Sequence, residues 1–159
     1  MNETRRSYVW CTYRDWSFRI LEGLQDLDGW NAALIVTTDS CVSDLRRFES
    51  ESIPVLRIDP KNGLKKDGPA CRKILEIRPT TIFHYGWSWI VPREILRLCP
   101  NITLHPGKLP KDRGGSPLQN QIRNGETWTY ANLIQLSEKL DEGPIYLREK
   151  ISLEGEVDD

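Results

Sequence analysis

Two residues invite an acid–base reading: His105, and Asp141 thirty-six positions further on. His105 closes the run Ile102 to His105. It opens a stretch crowded with Pro106, Gly107, Pro110, Gly114 and Gly115, with Lys108, Lys111 and Arg113 between them. Asp141 opens the turn-like Asp141-Glu142-Gly143-Pro144. Glycine and proline fix backbone shape in a connection too long to be a minimal turn. A histidine with a carboxylate partner moves protons near neutral pH. A plainer reading stands beside this one. A lone histidine at a strand end is more often structural or exposed than catalytic, and a basic loop is often only solvated. Spacing alone does not bring His105 and Asp141 together.

The elements that must position these residues alternate. Tyr8 to Thr12 reads as a strand, and Asp15 as the N-cap of a helix carrying Phe18, Leu21 and Leu24. Ala32 to Thr37 is a continuous apolar run suited to a strand buried on both faces. Ser40 is a cap for a second helix with Val42, Leu45 and Phe48 on one face, and Pro54 to Ile58 a third strand. Pro69 suits a helix's first turn, ahead of Ile74, Leu75 and Ile77. Thr81 to His84 is a fourth strand, Pro92 opens a short helix with Ile95, Leu96 and Leu98, and Ile102 to His105 is a fifth strand. Ser116-Pro117 reads as cap and first-turn proline of a helix to about Asn124. Trp128 to Leu136 and Ile145 to Ile151 alternate with period two, as a hairpin or sheet extension would. The fold class is α/β: a Rossmann-like, mostly parallel sheet flanked by helices, with a C-terminal hairpin-like extension.

Such sheets bind ligands at the carboxyl ends of their strands. Three segments fall there: Thr12 to Trp16, Tyr85 to Trp89, and His105 to Pro117. No GxGxxG follows the first strand, so a dinucleotide site is poorly supported.

The 159 residues suit one domain, taken here as 1–159. Lys and Arg total 22 against 23 Asp and Glu, a net charge of −1. That balance favours a small-molecule substrate over nucleic acid, a local basic patch apart. Cys11, Cys41, Cys71 and Cys99 show no CxxC and no paired spacing, so they read as reduced thiols of a cytoplasmic protein, with no metal site. No stretch approaches a membrane span, and the N-terminus is not a signal peptide.

The stretch LHPGKLPKDRGGSPLQNQIRNGE (Leu104 to Glu126) resembles the signature region of the folate-dependent formyltransferases, and LSEKLDEGPIYLREKI (Leu136 to Ile151) resembles their second signature. The His-to-Asp spacing is also close to theirs. The resemblance implies a formyltransferase that takes 10-formyltetrahydrofolate as co-substrate, with His105 and Asp141 as its catalytic pair and no metal. It places a folate site along Tyr85, Gly86, Trp87, Ser88, Trp89 and Ile90, and on a second wall of Leu136, Ser137, Glu138 and Leu140. Lys108, Arg113, Gly114, Gly115, Ser116 and Asn120 fall to the acceptor side. The RGGSPLQNQIRNGE run looks closest to the enzymes acting on nucleotide-linked amino sugars in surface-polysaccharide pathways. The partner expected is therefore a small amine, with no nucleic acid, no membrane and a homodimer as one form.

The sequence departs from the family pattern in two places. The usual Asn two residues before the His is Thr103 here, and Tyr130-Ala131-Asn132 stands where the family often has Gly-Val-Thr. Loss of one oxyanion donor typically costs about 10²–10³ in rate. Thr103 is therefore a candidate catalytic position, and Asn101, Asn120 or Asn132 a candidate substitute. The chain ends where family members usually continue, either because the protein is minimal or because it is cut short; in the second case an exposed apolar face favours oligomers. Two alternatives stay open: a degenerate folate- or partner-binding domain without turnover, and an enzyme acting on another amine such as glycinamide ribonucleotide. Trp87 and Trp89 read equally as stacking platform or core, His84 as structural, and Arg46-Arg47 and Lys65-Lys66 as surface.

Overall fold

The computed structural model describes residues 6–25, 28–38, 41, 45–59 and 64–154. The chain forms two compact units, residues 1–102 and 103–159.

The first unit is a parallel sheet. Strand β1 (Arg6–Cys11) pairs on one side with β2 (Trp30–Thr38), which pairs in turn with β3 (Val55–Ile58). On its other side β1 pairs with β4 (Thr81–His84), which meets the start of β5 (Asn101–Pro106) at Asn101 and Ile102. The chain thus grows outward from β1 in one direction and then returns to its other edge. That reversal lies between β1 and β4, and the loops following those two strands flank it, where open sheets hold ligands.

Alternation sends Val9 and Cys11 to one face and Tyr8 and Trp10 to the other. The first face buries Leu34, Val36 and Ile82 against Ala70, Cys71 and Ile74 of α3 (Pro69–Ile77) and Ile95 of α4 (Arg93–Leu96). The second face is aromatic: Trp10 lies 5.2 Å from Phe83 and 4.8 Å from Tyr85, ring to ring, and its indole N–H donates to Ser17 on α1 (Asp15–Gln25) at 2.9 Å. Helices therefore cover both faces, as the alternating pattern predicts.

Local details differ from the sequence reading. Asp15 is the first residue of α1 rather than its cap. Helix α2 is only Arg46–Ser50; Ser40 and Val42 lie outside the described residues. Pro92 opens α4 as its N-cap, and the helix ends at Leu96, short of Leu98.

The second unit takes the end of β5, helix α5 (Pro117–Arg123) and an antiparallel hairpin of β6 (Trp128–Gln135) and β7 (Ile145–Ser152). Ser116 precedes α5 but does not cap it: its backbone is left-handed (φ 53°) and its hydroxyl makes no capping bond. Strand β7 is exposed along its whole length, Leu147 at 63%, so its alternation does not bury a face. At the hairpin turn a Cβ on Gly143 would sit 1.7 Å from the carbonyl oxygen of Gln135. Only glycine lets the two strands close there, with Gln135 N–H donating to Pro144 O at 2.9 Å.

Candidate active site

His105 is buried at the end of β5, 6% exposed, and its environment is built from three segments of the second unit. Its Nδ1 stands 3.5 Å from Oδ2 of Asp141, with both side chains about nine-tenths buried. Its Nε2 lies 2.6 Å from the backbone carbonyl of Asp112. A carbonyl only accepts, so Nε2 carries the proton of that bond. When Nδ1 is protonated too, the ring is a cation held between a carbonyl and a carboxylate.

Each partner is itself fixed. Asp141 adopts a left-handed backbone (φ 50°), a conformation Asp tolerates better than most residues, and one that clusters at functional sites. Its Oδ2 also accepts the Gly114 N–H at 2.8 Å, tying the glycine-rich loop to the carboxylate. The Asp112 side chain accepts the Lys108 N–H at 2.9 Å, which closes the loop on itself. Gly107 makes the close approach possible: a Cβ there would meet the Asp112 carbonyl oxygen at 2.9 Å and His105 Nε2 at 3.1 Å.

The acceptor-side candidates separate. Gly114 touches Asp141, as stated. Arg113 pairs with Glu142 at 2.9 Å, beside Asp141 in sequence. Gly115 and Ser116 are exposed. Asn120 is exposed and lines, with Lys111, Arg113 and Gln121, a cavity of about 160 Å³. Lys108 is already engaged, bonded to Glu126 and set 3.9 Å over the Trp128 ring. Those two contacts hold its ammonium against the protein.

Of the folate-wall candidates, Leu136 is half-buried, whereas Ser137, Glu138 and Leu140 are exposed, Leu140 at 70%. In the first unit, Tyr85 is buried against Trp10, and burial pushes its hydroxyl pKa up to about 12. Gly86 (φ 69°) turns the chain after β4. Trp87 packs on the apolar core and sits edge-on to Trp89 at 4.8 Å. Trp89 in turn lies 4.7 Å from Tyr13, whose hydroxyl shares a 2.9 Å hydrogen bond with Ser88. These contacts join the two strand-end loops at the sheet's reversal. Ile90 is 92% exposed.

Thr103 is half-buried two residues before His105 on β5. None of the three asparagines considered as substitutes bonds to the His105 ring. Asn101 belongs to the first unit, where its Oδ1 meets His84 Nε2 at 2.9 Å and its amide donates to the carbonyls of Ile95 and Cys99. Asn120 makes one long bond to Gly115 O at 3.5 Å. Asn132 reaches His105 through the main chain: its Nδ2 donates to the carbonyls of His105 (2.9 Å) and Gly107 (2.7 Å). The carbonyl of Asp112 is the part of the site that sequence reasoning missed, and the side chain of Gln121 reaches Pro106 O at 3.4 Å. The departure at Tyr130-Ala131-Asn132 was the available signal for Asn132.

Cys11, Cys41, Cys71 and Cys99 are all free thiols. Among the described residues, no cluster of three His, Cys, Asp or Glu side chains could hold a metal ion, and no helix is long and apolar enough to cross a membrane.

The first unit's sheet reversal defines a Rossmann-like α/β fold, and the second unit carries a buried His–Asp pair beside a glycine-rich loop. Residues 17–158 match the formyl transferase family, and the chain belongs to it. A methionyl-tRNA formyltransferase of Mesoplasma florum is 33% identical over 148 residues, covering 88% of this chain and 46% of that protein. The chain therefore spans less than half the length of that relative. Among solved structures, a phosphoribosylglycinamide formyltransferase from Bacillus halodurans superposes with a TM-score of 0.80 at 22% identity, covering 96% of this chain and 82% of the other. A sugar N-formyltransferase from Shewanella gives 0.69 at 14% identity, covering 92% and 57%. The folds agree across the family, and special closeness to the sugar enzymes is not favoured.

One expectation is corrected outright. Nucleic acid was excluded on the net charge of −1, yet the curated relatives are named for a transfer RNA. Net charge averages over a surface, and phosphate is met by local cations, so a neutral total excludes little.

Proposed function

We propose that the chain carries the catalytic domain of a folate-dependent N-formyltransferase. The observation that carries this reading is the buried His105–Asp141 pair, 3.5 Å apart, on the two stretches that match the family's signatures. 10-Formyltetrahydrofolate would supply an activated formyl group, held by the Tyr85 to Ile90 loop and by Leu136, Ser137, Glu138 and Leu140. Protonated His105 would place positive charge beside the formyl oxygen as negative charge develops there, its Nε2 proton staying on the Asp112 carbonyl. Asp141 orients the imidazole and takes the proton lost by the attacking amine, directly or through water, and that proton ends on the departing folate nitrogen. The new bond joins the amine nitrogen to the formyl carbon, and the bond from that carbon to the folate breaks.

The acceptor is an amine of one of three kinds. The relatives above 30% identity make the α-amino group of methionyl-tRNA the first to assay. A nucleotide-linked amino sugar and glycinamide ribonucleotide follow, motivated by the acceptor-loop sequence and by the fold neighbours. The test is a melting titration with 5-formyltetrahydrofolate, followed by transfer assays on the three acceptors. A saturable rise in Tm supports the folate site, because a ligand that binds only the native state stabilises it. Binding without transfer to any acceptor favours a degenerate, turnover-free domain.

A further inference from the structure

Three carbonyls beside the proposed catalytic histidine, those of His105, Gly107 and Leu109, are held by two side chains, Asn132 and Arg148. Asn132 is fully buried on β6 and directly opposite Arg148 in the β6–β7 register. The Asn132 amide donates to the first two carbonyls, as above. Its Oδ1 accepts from Arg148 Nε at 2.8 Å, and a terminal nitrogen of the same guanidinium donates to Leu109 O at 3.2 Å. The amide orientation is self-consistent: reversed, its oxygen would face carbonyl oxygens and its NH₂ would face the guanidinium.

The need for these bonds follows from the chain itself. Pro106 has no N–H, and the loop leaves the strand at Gly107, whose N–H donates to Tyr130 O at 2.8 Å. The carbonyls that follow would otherwise be poorly paired, and a buried unpaired carbonyl is costly. The NH₂ of Asn132 offers two protons to two carbonyls, whereas threonine, common at this position in the family, offers one. Arginine adds a planar fork whose two nitrogens reach two different residues, which a lysine ammonium cannot reproduce. Arg148 also stacks on Tyr130 at 4.7 Å, which holds the fork in place.

We infer that Asn132 and Arg148 are positioning residues for His105, fixing the strand end so that its ring meets Asp141 and the Asp112 carbonyl together. The inference rests on the catalytic reading of His105, and it can be tested without turnover. The chain has two histidines, so its imidazole Cε1–H NMR spectrum holds two signals, and His84, in the other unit, is the internal control. The variant is Arg148→Met, chosen because Arg148 is an exposed residue and the fold should survive its loss. The expected result is a displaced His105 signal with an altered titration curve and an unchanged His84 signal. In the transfer assay kcat should fall about tenfold with KM nearly constant, the behaviour of a misaligned catalytic group. Arg148→Lys should recover only part of the loss. A folded Arg148→Met protein with a wild-type His105 signal and titration overturns the inference. Wild-type protein inactive on every acceptor would instead overturn the catalytic reading, while the NMR result would still report on the positioning.

Discussion

The chain's two histidines both sit at strand ends, both are buried, and each has an asparagine partner, yet they are built for opposite ends. In the first unit, the Asn101 side chain bonds the ring of His84, and both are almost completely buried. Desolvation is the larger influence there, and it lowers the His84 pKa to about 4 despite the hydrogen bond that Nε2–H donates to Asn101 Oδ1. In the second unit, Asn132 bonds the backbone of His105 and leaves the ring to Asp141 and the Asp112 carbonyl. Burial keeps the His84 ring neutral despite its asparagine, whereas Asn132 holds only the main chain at His105 and leaves the ring to its other partners.

The sharpest way to break the contrast is to remove each ring. His105→Ala and Asp141→Ala should each lower kcat/KM by about 10³-fold or more while Tm stays near wild type, because each group acts in the chemistry. Near-normal turnover in either variant would remove the pair from the mechanism.

The counterpart in the first unit shows in stability. The folded pKa of His84 lies below the ordinary 6.5, so between about 4 and 6.5 the unfolded chain binds a proton that the native chain does not. Stability is therefore full above 6.5 and falls as the pH drops through this window, by about 3 kcal/mol in all. Denaturant unfolding from pH 7 to 4 should show this slope. His84→Gln keeps an amide to meet Asn101 but cannot titrate, so it should flatten the slope and spare catalysis. An unchanged slope would mean that other groups dominate acid unfolding.

A third change tests the turn that carries Asp141. Gly143→Ala forces the backbone apart at Gln135 and should cost about 1–3 kcal/mol in urea unfolding, with a loss of transfer as well. A wild-type midpoint would show that the turn can shift cheaply. The smallest effect is expected at Thr103→Asn, which restores the residue usual in the family. It should preserve kcat or raise it by up to about tenfold, within the range one oxyanion donor supplies. A steep fall would give Thr103 a role of its own.

What could be read in advance follows from how local each signal is. The strands and their parallel order were legible because Ala32 to Thr37 and Thr81 to His84 carry their burial in their own composition. The hairpin was legible in its turn residues, although period two in β7 did not predict burial, since nothing among the described residues covers that strand. His105 and Asp141 were visible as residue types and through the resemblance, but their 3.5 Å separation depends on Gly107, Gly114 and a left-handed Asp141 acting together. Asn132 was visible only as a departure from the family pattern and not in its partners, because a side-chain bond to a backbone carbonyl 25 or 27 residues away leaves no periodic trace. Net charge misled for the opposite reason: it describes the whole surface, whereas a phosphate meets a few cations.

The most direct test is a formyl-transfer assay with 10-formyltetrahydrofolate on methionyl-tRNA, a nucleotide-linked amino sugar and glycinamide ribonucleotide, run side by side for wild type and His105→Ala. The account predicts that wild type formylates at least one of these amines and that the variant, folded and still folate-binding, does not. Transfer by both proteins at similar rates, or by neither on any acceptor, would contradict it.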